Sequence, residues 1–263
     1  MRRLDFQPKR IFITVKAYPT PSISYGETVC CAGVDIDAVS LIRIYPINYR
    51  DLPRDKMFKK YTLIEAKCAK DPHDHRPESY RIYQDPDSIK IIEHIDTEDK
   101  WERRKQYLKD ISIKTLCQLL KEEKINNTSL GIIKPRGIRF SYEKRRSKQR
   151  NDECYKSPSL FDKAKRPIEE IPYKFYYEFK CEDEINCPGH ELAIIDWEIN
   201  QAFRDWRRNY QDEQTLLSKI ENRWMSIANI ENNDVLFFVG NLFRFRDIFT
   251  VLGVFYPPKI KKI

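Results

Sequence analysis

The sequence predicts an α+β fold with two β-rich halves, each a small barrel or a strongly bent sheet, and with helices inserted among the strands. Segments rich in β-branched and aromatic residues recur along the chain. Helical periodicity is confined to two regions, near residues 97–127 and 192–224. Glycine is scarce, with 7 residues, so we expect Pro, Asn and Asp to form most of the turns.

The first half is predicted to hold five strands followed by two helices. Its strand candidates lie at residues 11–15, 28–34, 41–47, 60–69 and 89–95. Residues 71–81 are polar and contain two prolines, which predicts a structured loop. Thr97 is the candidate cap of the first helix and Ser112 that of the second. The helical pair ends at the predicted boundary between residues 1–127 and 128–263.

The second half alternates strands with helices. Its strand candidates lie at residues 131–142, 173–181, 235–241 and 247–259. In residues 173–181, four aromatic side chains alternate with mostly charged ones, which predicts one buried face and one exposed face. Apolar residues from Leu192 to Trp206 recur at helical spacing, and Asp212 is the candidate cap of a further helix. Residues 151–167 lack periodicity and are predicted to form a long loop.

The basic charge of the chain is concentrated in one run. A formal net charge of +8 is moderate, and many proteins that bind no anion share it. Between residues 134 and 150, however, eight of seventeen residues are Lys or Arg, and only Glu143 is acidic. Such a run attracts phosphate groups by counterion release, without reading a sequence. A solvated basic loop is the alternative interpretation.

Neither a membrane nor an oxidising compartment is indicated. No segment approaches the roughly 20 consecutive apolar residues of a membrane span. The apolar stretch at residues 11–15 is too short for the core of a signal peptide. The 7 cysteines are an odd number and are scattered over a chain that is long enough to form a hydrophobic core. We therefore expect a cytoplasmic protein with reduced thiols and no membrane partner.

A candidate zinc site lies between the strand at 173–181 and the helix after it. Cys181, Cys187 and His190 have the spacing C-x5-C-x2-H, and the segment Cys187-Pro-Gly-His forms a knuckle-like turn. Structural zinc takes four thiolate or imidazole ligands, so a fourth must come from elsewhere, with Cys154 as the first candidate. The alternative is two ordinary cysteines and a histidine near a helix start.

The sequence does not decide whether the protein is an enzyme. A metal-dependent enzyme acting on nucleic acid is the second hypothesis, centred on His190, Glu191 and Asp196 or on Glu65 and Lys67. The sequence contains no Walker loop, no dinucleotide-binding GxGxxG and no GxSxG motif. Nucleotide hydrolysis, dinucleotide redox chemistry and esterase chemistry therefore have no support from motifs.

Cations interleaved with aromatic rings point to a nucleic-acid partner, either single-stranded or structured DNA or RNA. Rings stack on bases while cations follow the phosphates. The candidate residues in the first half are Arg43, Tyr45, Arg76 and Arg81. Those in the second half are Lys134, Arg136, Arg139, Lys144, Arg145, Arg146, Lys148, Arg150, Tyr176, Arg244 and Arg246. A protein-interaction module with aromatic surfaces is the third hypothesis.

The chain also resembles a family of prokaryotic dual OB-fold proteins. The resemblance rests on GVDIDAVSLIRIYPINYRDL, RPESYR, CPGHELAIIDWE and FFVGN with FTVLGVFYPPK, and it covers nearly the whole chain. It implies a barrel in each half, whose open face commonly binds oligonucleotides, and a defence or mobile-element context. It implies no catalytic residues. The helical inserts and the Cys/His turn depart from a plain OB domain and leave room for an added activity.

Overall fold

The chain has the α+β fold that its sequence predicts, with a closed barrel in the first half and smaller sheets in the second. The computed structural model describes residues 4–22, 26–145, 170–182, 184–210 and 212–260. The strands of the first half are β1 (Gln7–Lys16), β2 (Thr20–Ser22), β3 (Gly26–Asp35), β4 (Ser40–Ile47), β5 (Thr62–Lys70), β6 (Ser79–Ile82) and β7 (Ile89–His94).

Five of these strands close into an OB-like barrel. Hydrogen bonds link them in the order β1-β3-β4-β6-β5, and β5 pairs again with β1 from Gln7↔Cys68 to Ile13↔Thr62. Strands β4 and β6 are parallel, whereas the other pairs of the ring are antiparallel. The predicted loop at 71–81 is wrong for its last residues, because β6 begins at Ser79. This four-residue strand is stabilised by hydrogen bonds to a neighbouring strand on each edge, and its sequence is too short to show a strand-like alternation.

The barrel is apolar inside and on one outer face. Ile11, Ile13 and Ile64 lie in the cluster that fills the interior. Phe12 and Val15 point outward into a second cluster, which they share with residues of the second half. Strand β1 is therefore buried on both faces, which explains why its sequence reads as a continuous apolar run.

Residues 112–263, which are called the second half of the structure, contain seven described strands and three of the four described α-helices. The strands are β8 (Ile113–Lys114), β9 (Leu130–Ile133), β10 (Pro135–Lys144), β11 (Tyr173–Cys181), β12 (His190–Ala193), β13 (Leu236–Leu242) and β14 (Phe245–Phe255). The helices are α1 (Glu98–Gln106), which follows the barrel, and α2 (Leu116–Asn126), α3 (Trp197–Trp206) and α4 (Glu213–Ile227). None of the described helices has the length and apolar character that a bilayer span requires.

Two sheets and three helices share the core of the second half. One sheet has the order β10-β11-β12, and the other has the order β14-β13-β9-β8. Tyr173, Phe175, Tyr177 and Phe179 turn inward from β11, as their alternation predicts, and pack in one cluster with side chains of α2, α3 and α4. The intervening residues of β11 face outward and cover the sheet on its solvent side.

The second half also corrects three sequence predictions. The predicted strand at 131–142 is two strands, because β9 and β10 belong to different sheets. The helix predicted from Leu192 begins later, since His190–Ala193 pairs with β11 and Asp196 caps α3. Helix α2 is capped by Thr115 in a capping box with Gln118, and Ser112 precedes strand β8 instead. Asp212 caps α4 as predicted, and the predicted loop at 151–167 lies outside the described residues.

Candidate metal centre and adjoining basic groove

Four side chains from different parts of the second half converge on one point. Cys117 lies in the first turn of α2, Cys181 ends β11, Cys187 lies in the turn that follows, and His190 begins β12. Their potential ligand atoms all lie within 4.8 Å of one another. The three residues predicted from the sequence are thus brought together, and Cys117 completes the set.

The nitrogen–sulfur distances of this cluster fit a tetrahedral zinc site. The distances from His190 Nε2 to the sulfur atoms are 3.4 Å for Cys117, 3.5 Å for Cys181 and 3.2 Å for Cys187. Zinc lies about 2.3 Å from thiolate sulfur and about 2.0 Å from imidazole nitrogen. A tetrahedron of those radii separates sulfur from nitrogen by about 3.5 Å. Three thiols and one imidazole are also the donor chemistry of closed structural zinc sites.

The turn between β11 and β12 positions three of the four ligands. The Cys187 N–H donates to the Glu184 carbonyl at 3.2 Å, and the Cys181 N–H donates to the Cys187 sulfur at 3.3 Å. Gly189 has a φ of +94°, which a side chain would strain. The pairing of Phe179 with His190 then returns the chain to the sheet beside Cys181.

Burial keeps most of the ligand set neutral when no cation is bound. Desolvation raises the pKa of Cys117 to about 12 and also raises the pKa of Cys181. Burial opposes ionisation of Cys187 too, but hydrogen bonds from the backbone of Cys181 and Gly189 outweigh it and lower its pKa. Desolvation lowers the pKa of His190, which favours the neutral imidazole.

The fourth ligand could not be found from local spacing. Cys154, the first candidate, lies outside the described residues. Cys117 stands alone in α2, and only the packing of that helix against β9 and the β11 region brings it to the other three. The sequence contains other cysteines besides Cys181 and Cys187, and their spacing does not show which of them completes the site.

The alternative hydrolytic groupings are not assembled around this centre. His190 faces the thiols, whereas Glu191 is exposed on β12. Asp196 is buried, caps α3 and pairs with Lys60 at 2.8 Å. Glu65 and Lys67 lie on β5 in the barrel. Each of these carboxylates therefore has a different structural environment from that of the Cys/His cluster.

A basic groove adjoins the metal centre. It encloses about 720 Å³ and is lined by Arg136, Arg139, Glu178 and Lys180 on one side and by the turn residues 188–190 with Glu191 on the other. Arg136 and Lys180 stand opposite each other across β10 and β11. Among the described residues neither forms an ion pair, whereas Arg139 is paired with Glu178 at 2.7 Å. Like charges in facing positions destabilise a sheet, and an anion between these two side chains would offset that repulsion.

Two predicted binding residues of the first half are buried and serve the contact between halves. Arg43 donates to Ser129 Oγ at 2.7 Å and to the Ser129 carbonyl at 3.1 Å. Arg76 pairs with Asp74 at 2.6 Å and donates to the Asn241 carbonyl at 3.1 Å. The prediction that these two residues contact nucleic acid from an exposed surface is wrong, because each guanidinium is buried against acceptors of the other half.

The other predicted residues of the first half are more accessible. Tyr45 is partly exposed and its hydroxyl accepts a hydrogen bond from Thr28. Arg81 is partly buried and pairs with Asp71 at 3.1 Å. Neither lies beside Arg43 in a common exposed surface, because Arg43 itself points inward.

Four of the seven predicted cations that the structure describes in the second half are exposed but paired with acidic side chains. The pairs are Lys134–Glu182, Arg139–Glu178, Lys144–Glu213 and Arg145–Glu170. Tyr176 lies on the same outward face and donates to Glu143. Exposed pairs contribute about 0–1 kcal/mol, so they can exchange for phosphate contacts. Arg146, Lys148 and Arg150 lie outside the described residues.

The β13–β14 hairpin presents the remaining predicted residues. Arg244 is exposed between the exposed rings of Phe243 and Phe245. Arg246 donates to the Asn127 side chain at 2.7 Å. Arg76 lies over the Phe243 ring at 5.4 Å, so this hairpin contacts the first half.

Two family models together match nearly the whole chain. Residues 7–110 match the domain of unknown function DUF8758, and residues 112–263 match the domain of unknown function DUF8757. A search of curated proteins finds no match. The junction between the two matches falls between α1 and α2, just before the segment that supplies Cys117.

Proposed function

The chain belongs to the family described as domain of unknown function DUF8757, and we propose that it is a zinc-containing, nucleic-acid-binding protein. The observation that carries the proposal is the unbalanced pair of cations, Arg136 and Lys180, at the groove beside the Cys/His cluster. Zinc would hold the turn that forms one wall of this groove. Phosphates would bind along its other wall.

The zinc proposal rests on the completeness of the ligand set. Four protein ligands fill a tetrahedral site and leave no position for a substrate or an activated water, which favours a structural role over a catalytic one. Cys117, Cys181, Cys187 and His190 would hold the ion, which supplies a cross-link between α2 and the β11–β12 turn. This arrangement favours the binding protein over the metal-dependent enzyme.

The nucleic-acid proposal rests on charge, on rings and on the barrel. The outward face of β10 and β11 carries Arg136, Arg139, Lys174 and Lys180 together with the partly exposed Tyr176. Cations beside an aromatic ring are the combination that single-strand binders use. OB-like barrels commonly bind oligonucleotides, which supports the same class of partner. The basic run continues from β10 toward residue 150.

Elemental analysis of the purified protein tests the zinc site. We expect about one zinc per chain in the wild type and loss of the metal in Cys117→Ser and Cys187→Ser. Cys30→Ser is the matched control, because Cys30 is a free cysteine of the barrel strand β3 and does not belong to the Cys/His cluster. Wild-type protein without zinc, or a Cys117→Ser variant that keeps it, would contradict this ligand set.

A salt-titrated binding panel of single- and double-stranded DNA and RNA tests the groove. Arg136→Ala with Lys180→Ala should weaken binding to all sequences alike. It should also reduce the slope of log K against log salt by about 1.4 for single strands, since two phosphate contacts are lost. The control is Lys109→Ala with Lys121→Ala, which removes equal charge from exposed positions near α1 and in α2. An unchanged slope in the groove variant, with normal zinc content, would refute the proposed interface.

A further inference from the structure

A second cleft lies where the barrel meets the second half. It encloses about 380 Å³, within the range of small-ligand pockets. The end of β1, the segment before β5, helix α1, the start of α3 and the chain after β14 all contribute to it. The side chains that matter most are Lys16, Lys59, Lys60, Arg104, Trp197 and Tyr256.

The cleft carries an excess of positive charge. Lys60 is buried and offset by Asp196 at 2.8 Å and Glu198 at 3.1 Å. Arg104 donates to the Ile95 carbonyl and stacks on the rings of Tyr61 and Trp101, and within the described part of the chain it meets no carboxylate at ion-pair distance.

Lys16 is the cation that most lacks an anionic partner. Its ammonium lies 3.6 Å from the centre of the Tyr49 ring and 4.7 Å from that of Trp197. It donates to the Phe58 carbonyl at 3.2 Å, and no described carboxylate pairs with it. An ammonium has three donors, so two can serve a ligand. Burial lowers the pKa of Lys16 to about 8, a cost that a bound anion would offset.

The rings of the cleft favour a planar group beside the anion. Trp197 and Tyr256 are half-buried and line the cleft. Trp197 is held by edge-to-face contacts with Tyr18 and Tyr49, at 6.3 Å and 5.4 Å between ring centres. A fixed, partly exposed indole is a stacking surface for a base, worth about 1–3 kcal/mol. An inorganic anion would leave these rings unused.

We propose that this cleft binds a nucleoside phosphate, with its phosphate against Lys16 and Lys59 and its base against Trp197 or Tyr256. The same chemistry occurs in a free nucleotide and at the 5′-phosphorylated end of a strand. The site is separate from the groove beside the metal centre, and it does not depend on that groove binding nucleic acid.

Tryptophan fluorescence provides the direct test. Trp101 and Trp197 line the cleft, whereas Trp206 and Trp224 pack against the core of the second half. Full-length protein is titrated with AMP, GMP, CMP and UMP, and in parallel with adenosine and with inorganic phosphate. We expect saturable quenching by at least one nucleotide, with adenosine and phosphate at least tenfold weaker. Inorganic phosphate that binds as tightly as every nucleotide would overturn the proposal. So would the absence of any fluorescence response to the four nucleotides and to an oligonucleotide with a 5′-phosphate.

Variants assign the response to the cleft. Lys16→Met fills most of the space of the lysine side chain beside the rings without its charge, and Lys59→Ala changes an exposed side chain, so both should fold. Together they should weaken nucleotide binding at least tenfold, while Lys109→Ala should not change it. Wild-type affinity in the Lys16→Met/Lys59→Ala protein would refute the site.

Oligonucleotides separate the two sources of the ligand. A strand with a 5′-phosphate that quenches better than its 5′-hydroxyl counterpart, and better than free nucleotides, supports a strand end. The reverse order supports a free nucleotide. The Arg136→Ala/Lys180→Ala protein should keep the nucleotide response, so failure of this site and failure of the proposed groove are distinguishable.

Discussion

At the scale of single residues, the buried Lys60–Asp196 pair joins the barrel to α3. Both side chains are nearly inaccessible, with 7% and 5% exposed. Burial acts to lower the pKa of Lys60, but the carboxylates of Asp196 and Glu198 outweigh it, and the pKa is raised. The ammonium therefore stays charged, and its removal would leave a buried carboxylate without a counterion.

Lys60→Met should destabilise the protein by about 3–5 kcal/mol, because Asp196 would then be buried and unpaired. Lys60→Met with Asp196→Asn should recover much of that loss, since no buried charge remains. Chemical denaturation of the wild type, both single variants and the double variant measures the coupling. Additive losses in the double variant would show that the two groups do not interact.

At the scale of elements, the first turn of α2 links a helix cap to the metal centre. Thr115 Oγ1 accepts from the Gln118 N–H at 3.0 Å, and Gln118 Oε1 accepts from the Thr115 N–H at 2.8 Å. Cys117 lies within the turn that this capping box fixes. The cap therefore orients Cys117, the candidate ligand that is most distant in sequence from the other three.

Thr115→Ala should cost about 1 kcal/mol of stability and should also make zinc easier to remove by a chelator. Thr115→Ser keeps the hydroxyl and serves as the control. Unfolding curves and the rate of zinc loss to a chelator measure the two effects. Unchanged zinc loss in Thr115→Ala, with the expected loss of stability, would show that the cap does not position Cys117.

At the scale of the whole molecule, a polar network holds the halves together. Ser129, just before β9, donates its hydroxyl to Glu78 at 2.7 Å and accepts from Arg43 at 2.7 Å. Arg43 and Glu78 belong to the barrel half, while Ser129 leads into the sheet of the second half. The apolar outer face of the barrel packs beside this network. The halves should therefore unfold together.

Ser129→Ala should lower stability by about 1–3 kcal/mol, because it takes a hydrogen-bond partner from the buried Arg43 and from Glu78, both in the barrel half. A single transition is expected in the wild type by both circular dichroism and tryptophan fluorescence. Ser112→Ala, at an exposed serine, is the control. Separate transitions for the barrel and the second half in the wild-type protein would contradict cooperative unfolding.

Features that depend only on neighbouring residues could be predicted from the sequence. The alternation in β11, the cap of α4 at Asp212, the C-terminal hairpin and the turn with Cys181, Cys187 and His190 are all local, because strand period, capping and turn chemistry act over a few residues.

Contacts between residues that are distant in the chain could not be predicted and are known only from the folded structure. Strand β6 has no pattern of its own and forms because two strands pair with it, and Cys117 becomes a candidate ligand only through the packing of α2. The sequence predicts Arg43 as an exposed cation on a strand, yet its guanidinium is buried and donates hydrogen bonds to Ser129 of the other half. The physical reason is the same in each case: such contacts join residues far apart in the chain, and the free energy that fixes them comes from burial and pairing, which no local pattern encodes.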